Sequence, residues 1–332
     1  MTTTVFALIV VIALAMAFTF TNGFHDSANA IATSVSTQAL TLRAALGMAA
    51  VGNLVGSFFG AKVAGTVGAG IIELEVGPYA LVVVGCALVG AIGWNLLTWW
   101  FGLPSSSSHA LFGGMVGAAL AGGMTVLWTG VVDKILIPMV VSPIAGFFLG
   151  AAAMLAIMWI FRRSSPSATG RGFRRAQTVS AAMMAFGHGM QDAAKTMGIV
   201  VLALVVAGYQ DDYSIPWWCF LLTAVVLAVG TATGGMRIMR TLGRKIIELD
   251  PPQGFAAEAT AASVLYVASA GMGAPISTTH VISSAIMGAG STTRTSAVRW
   301  GVAGNMMTAW VTTFPAAALL AAGTLWAAHL FM

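Results

Sequence analysis

Apolar stretches of about twenty residues recur along almost the whole chain, parted by short polar breaks, and no other feature restricts the fold as much. Wound as a helix, such a stretch matches the hydrocarbon thickness of a bilayer. Backbone polar groups in lipid must find partners within their own segment or in a closed barrel, and runs this long suit helices. With 58% hydrophobic and only 8% charged residues, the chain lies far from the roughly half-apolar, quarter-charged mixture of a soluble domain. The expectation is an all-α integral membrane protein with about ten transmembrane segments.

Apolar runs and helix breakers place these segments at about 3–37 (interrupted near 22–29), 41–65, 77–101, 105–126 and 131–161. A second set falls at about 177–208 (interrupted near 187–195), 216–240, 254–272, 276–290 and 295–329. The segments at 105–126 and 276–290 could instead be re-entrant hairpins. The first run, Val5 to Phe20, has no basic stretch before it and leads straight into Asn22, Gly23, Phe24, His25 and Asp26, so it reads as a retained helix rather than a signal peptide. Cys86 and Cys219 sit in apolar segments without paired spacing and indicate neither a disulfide nor a metal site.

Residues 162–176, rich in Ser and carrying five arginines, divide the chain into membrane repeats 1–161 and 177–332. Five crossings per half is an odd number, so the second half would enter the membrane from the opposite face, as in an inverted repeat. Taking the basic linker as cytoplasmic, alternation places 12 of the 15 Lys and Arg residues inside and both termini extracytoplasmic, as the positive-inside rule expects. The net charge of +5 is therefore a matter of topology, and no nucleic-acid partner is implied.

Two polar motifs recur between the halves. Gly23 to Asn29 can be laid on Gly189 to Lys195 at an offset of 166, pairing Asp26 with Asp192 and Asn29 with Lys195. Pro104 to His109 aligns with Pro275 to His280 at an offset of 171. Ordered recurrence at nearly one offset is the mark of an internal repeat.

The ionisable groups other than histidine at membrane depth are Asp26, Asp192, Lys195 and, less deeply, Glu258. Each costs roughly 2.5 to 3.5 kcal/mol on insertion scales, and such residues are default functional candidates. An Asp192–Lys195 pair that only locks helices together is the plain structural alternative. The surrounding Gly and Asn residues suggest helix breaks whose free backbone groups line a cavity, where amides attract an anion and carboxylates a cation. Ser106, Ser107 and Ser108, and likewise Ser277, Thr278 and Thr279, follow a proline and precede an apolar helix. They could be simple caps, but three adjacent hydroxyls also suit a tetrahedral oxyanion. His25, His109, His188 and His280 fall inside these motifs, where they could relay protons or orient neighbours. None of the spacings fits a zinc pattern, so no cofactor or structural metal is expected. Gly52, Gly56 and Gly60 form a small-residue ridge suited to close helix packing, within the chain or across a dimer.

Asn22 to Thr33, His188 to Gly198, Gly254 to Glu258 and Pro275 to His280 together resemble the signatures of the inorganic phosphate transporter (PiT) family, and the likeness runs from about residue 5 to 322. The resemblance implies an inverted-repeat symporter in the cell inner membrane, a homodimer, carrying inorganic phosphate with a proton or sodium ion. It implies that Asp26, Asn29 and Asp192 bind substrate and coupling ion, Asp26 and Asp192 being the place for sodium where sodium rather than a proton is carried, and that the Ser/Thr triplets complete an anion cage. Asn22, His25, His109, His188, Gln191, Glu258 and His280 are supporting candidates. Gln191 stands where the family usually has Asn, and Lys195 where sodium-coupled members usually have a second Asn. A fixed ammonium there would stand in for one bound cation. Competing readings are a sulfate permease of the same fold, an intramembrane hydrolase built on the two aspartates, and an ion channel. The hydrolase reading lacks a Gly-x-Gly-Asp or Gly-x-Ser-Gly motif.

Overall fold

The computed structural model describes residues 2–68 and 70–330. In chain order its helices are α1 (Thr2–Ser36), α2 (Leu42–Ser57), α3 (Ala61–Gly68), α4 (Pro78–Phe101), α5 (Ser107–Ala121), α6 (Trp128–Val131), α7 (Ile137–Ile160), α8 (Pro166–Val206), α9 (Trp217–Thr233), α10 (Met236–Arg240), α11 (Pro251–Tyr266), α12 (Thr278–Ser291) and α13 (Trp300–His329). A two-residue ladder, β1 (Ile72–Glu73) with β2 (Thr125–Val126), ties two loops together.

Six helical rods are long and apolar enough to cross a bilayer, and there are up to eight spans if two bent pairs count. The bent pairs are α2 with α3, at 70°, and α9 with the run from Met236 to Lys245, at 57°. This corrects the expected count of about ten. At 15 and 14 residues, α5 and α12 are only about 22 Å long at 1.5 Å per residue, short of the roughly 30 Å of hydrocarbon.

The expected interruptions near 22–29 and 187–195 are also corrected. Helices α1 and α8 run unbroken through both polar motifs, and the breaks fall at 58–60 and 234–235 in their neighbours. The glycines in the motifs serve close packing instead. A Cβ on Gly23 would sit 2.7 Å from the Leu227 carbonyl, and one on Gly189 2.4 Å from that of Asn53. Gly52, Gly56 and Gly60 all face α8, so their ridge is used within the chain. Most of the stretch 162–176 is likewise helical, since α8 begins at Pro166 behind the N-cap position Ser165.

Helices α1 and α8 lie antiparallel: Thr19 bonds Thr196 at 2.7 Å and Thr37 bonds Gln177 at 2.6 Å. Each is flanked by a helical hairpin. In the α4–α5 hairpin, Tyr79 reaches the Gly122 carbonyl at the open end, and Gly85 lies beside Val11 and Leu14 of α1. In the α11–α12 hairpin, Gln253 reaches Thr293 at the open end, and Glu258 meets Thr33 of α1 and Ser180 of α8. The hairpins therefore open at opposite ends of the molecule. Their tips meet between, where Ser108 contacts the Ile276 carbonyl at 3.4 Å. Helix α5 packs on α13, and α12 on α7.

Candidate functional site

Each hairpin tip ends in a proline-led loop that starts a helix. Ser106 and Ser277 are the N-caps, each accepting from the N–H of the histidine three residues on, His109 and His280. Capping that third amide leaves the N–H groups of Ser107, Ser108, Thr278 and Thr279 without intrahelical acceptors, and they lie at the positive ends of two helix dipoles. The free amides expected at the aspartate motifs are found here instead.

Asp26, at the middle of the molecule, receives hydroxyls from both tips: Ser107 at 2.8 Å on one oxygen and Thr279 at 3.3 Å on the other. Asn29, one turn on, donates to Thr279 at 2.9 Å and to Thr278 at 3.3 Å. Across the interface, Asp192 is bracketed by Lys195 at 2.5 Å and His188 at 2.8 Å. Atoms of Asp26, His188 and Asp192 lie within 4.8 Å of one another, and all three residues are buried. Two carboxylates, an imidazole and an ammonium thus form one buried cluster beside the hydroxyl and amide donors of both tips, a set that suits an anion beside a cation.

The supporting residues divide into five groups. His25 holds the first tip, with its ring nitrogens on Asp26 at 2.8 Å and Thr98 at 3.1 Å, while Ser105 stands at 3.4 Å. Gln191 does the same for the second tip through Ser269, the Ala274 carbonyl and the Ile276 amide. Thr98 with Ser269, and Ser105 with Ile276, are both separated by the offset of 171, so two different side chains perform one positioning task. His188 is oriented by Asn53, which in turn bonds Thr231.

His109 and His280 turn away from the carboxylates. Their rings meet at 4.8 Å behind the tips, and Trp310 stacks on His280 while donating to the Pro104 carbonyl. Asn22 is buried in α1 and makes no side-chain hydrogen bond among the described residues. Glu258 is fully buried but stands apart from the cage, one turn beyond Asn29, between Thr33 and Ser180. Sequence reasoning did not single out Thr33, Asn53, Thr98, Gln177, Ser180 or Thr231 as site candidates. For Asn53, Thr98 and Thr231 the signal was isolation, single polar residues within apolar or small-residue surroundings, whereas Thr33, Gln177 and Ser180 stand near other polar residues and carry no such signal.

The profile of the family described as "Phosphate transporter family" matches residues 22–321. The chain belongs to that family. Membership makes it a transporter rather than an enzyme, and the multi-pass helical architecture agrees. It is 47% identical over 327 residues to a probable low-affinity inorganic phosphate transporter of Rhizobium meliloti, covering 97% of both chains. A protein of the same description from Mycobacterium leprae is 44% identical, with 98% of this chain and 79% of that one covered. Among solved structures, one described as "The sodium-dependent phosphate transporter" superposes with a TM-score of 0.85 at 25% identity, covering 98% of this chain and all of that one.

Proposed function

We propose that this chain is a symporter that imports inorganic phosphate across the cell inner membrane by alternating access. The observation that carries the reading is the convergence of hydroxyls from two oppositely inserted hairpin tips on Asp26, beside the Asp192–Lys195 pair. Phosphate would take over the tip hydroxyls and free amides, held by Ser107, Thr278, Thr279, Asn29 and Lys195. Ser106, Ser108 and Ser277 would shape the loops. At neutral pH phosphate still carries a proton to donate, so an ionised Asp26 or Asp192 favours it over sulfate, which has none.

The fold reading that goes with this is six spans, α1, α2–α3, α6–α7, α8, α9–α10 and α13, plus two re-entrant hairpins in an inverted repeat, with the dividing turn near residue 162. An even number of spans keeps both termini on one side. The arginines around residues 162–175 support a cytoplasmic turn and extracytoplasmic termini. The working unit is a homodimer.

Coupling falls to two places. The cluster of Asp26, His188 and Asp192 offers ligand atoms for a sodium ion, but Lys195 already supplies one positive charge there. Glu258 is the group left to carry a moving proton, since its partners Thr33 and Ser180 are neutral. On this reading a proton drives uptake. Purified protein in liposomes should accumulate radiolabelled phosphate under an imposed pH gradient, with excess sulfate competing weakly. Accumulation driven by a sodium gradient alone would overturn the proton assignment, and equal competition by sulfate would overturn the substrate.

A further inference from the structure

The tips of the hairpins are fastened by residues that the transport site does not use. Lys62, the second residue of α3, donates from Nζ to the Ala270 carbonyl at 2.9 Å, and Thr66, one turn on, donates to the Gly273 carbonyl at 2.8 Å. Arg237, the second residue of α10, donates to the Trp100 carbonyl at 2.6 Å, and Thr241 donates to the Gly102 carbonyl at 2.8 Å. Both cations follow the bend of a bent pair. The two cations and the two threonines are each 175 residues apart, and the two glycines 171. Two matched sets of bonds therefore recur across the internal repeat.

The chemistry of each set is the same. The last carbonyls of a helix lack intrahelical donors and form the negative end of its dipole, where a cation is favoured. Ala270 lies in the π-helical turn Val267–Met272 that continues α11, and Trp100 in the last turn of α4, so each stands at the tip end of its hairpin's outer arm. Gly273 and Gly102 close those arms with φ of 63° and 66°, the left-handed conformation that ends a helix. The Arg237 guanidinium also lies 4.4 Å from the centroid of the Trp100 ring, a cation–π contact. In both sets the fastening helix and the fastened hairpin come from opposite halves of the chain.

We propose that Lys62 with Thr66, and Arg237 with Thr241, are positioning residues for the anion cage, each pair clamping one hairpin tip to the broken helix of the other half. Four to six residues separate Gly102 from Ser106–Ser108 and Gly273 from Ser277–Thr279, so the clamp sets where the hydroxyl triplet stands. The two clamps act on different hairpins, and release of one leaves the other in place. This assignment rests on the transport reading above for its effect on phosphate, but not for its effect on the tips.

The test separates the two. In a Cys86→Ala, Cys219→Ala background, Leu103→Cys and Ala274→Cys report the first and second tip through their rates of maleimide labelling in membranes without phosphate. Lys62→Met should speed labelling at position 274 about tenfold, the worth of one charge-assisted hydrogen bond, and leave position 103 within about twofold. Arg237→Met should do the reverse, and Lys62→Arg and Arg237→Lys should restore most of the protection. In liposomes the phosphate concentration for half-maximal uptake should rise about tenfold for each Met variant, with the maximal rate per folded transporter changing less. Thr66→Val and Thr241→Val should show the same selectivity at smaller size if a Met variant yields too little protein. The proposal is overturned if neither tip responds, if both tips respond to either substitution, or if only the amount of folded protein changes. Selective labelling with unchanged phosphate uptake would leave the clamps standing but overturn their role in positioning the cage, whereas a parent protein that takes up no phosphate would count against the transport reading and not against the clamps.

Discussion

The two hairpins share a geometry and differ in chemistry. Both enter between α1 and α8, both end in a capped Ser/Thr loop, and both offer a hydroxyl to Asp26. Along the α11–α12 hairpin, however, Glu258 is buried with Thr33 and Ser180 on its carboxylate and Gln177 nearby. The repeat-related residues along the α4–α5 hairpin are Ala87, Ile199, Leu14 and Val11. Ala87 is packed so closely on α5 that a Cβ on Gly114 would lie 2.4 Å from its carbonyl. One hairpin therefore packs on a polar surface and the other on an apolar one. The cage repeats the contrast, since Asp192 has an ammonium at i+3 where Asp26 has an amide. On the transport reading proposed above, the repeat would supply the symmetry for two alternating openings, and its departures from symmetry the coupling.

The largest effect should come from erasing that difference on the polar side. Glu258→Gln keeps the shape but removes the charge and one of the two oxygens that accept from Thr33 and Ser180, and should cut net uptake by about a hundredfold while phosphate–phosphate exchange in liposomes persists. Loss of exchange as well would assign Glu258 to the cage rather than to coupling. The converse change, Ala87→Glu, buries a carboxylate among apolar neighbours. It should cost roughly 3 kcal/mol or more and abolish the monodisperse peak in detergent, whereas Glu258→Gln should elute like the parent. Lys195→Asn gives both halves the same residue, and should lower proton-driven uptake about tenfold and make the remainder sodium-dependent. Smaller still is Gly56→Ala, whose new Cβ would lie 2.1 Å from the Phe186 carbonyl. Overpacking of this kind costs about 1 to 3 kcal/mol, read as a lower thermal midpoint without a change in ion coupling.

Much of this was legible in the sequence because lipid penalises polar residues so heavily. Asp26, Asp192 and Lys195 could be picked out by cost alone, and the offsets of 166 and 171 paired the motifs that meet in space. Glycine was misread. Gly23 and Gly189 looked like breaks, but a break exposes backbone groups that have no partner in lipid, whereas a close helix crossing uses the missing side chain directly. The span count failed for a related reason. A periodicity reading cannot tell a 15-residue helix that stops at a buried tip from one that crosses, because both are apolar throughout. The clamps formed by Lys62 and Arg237 were invisible as such, since a lone cation near a bend looks like any interfacial charge until the carbonyl it reaches is known.

The central claim is that both tips and both aspartates hold one anion. Arsenate is a tetrahedral stand-in for phosphate with an anomalous signal, so diffraction from crystals soaked with it locates the anion directly. The account predicts a single arsenic peak per chain within hydrogen-bond reach of Ser107, Thr279 and Asn29, lost in Asp26→Asn crystals or in Ser107→Ala, Thr279→Val crystals. A peak at the basic surface around Arg171 to Arg175, or one bound to a single tip and indifferent to the other, would contradict it.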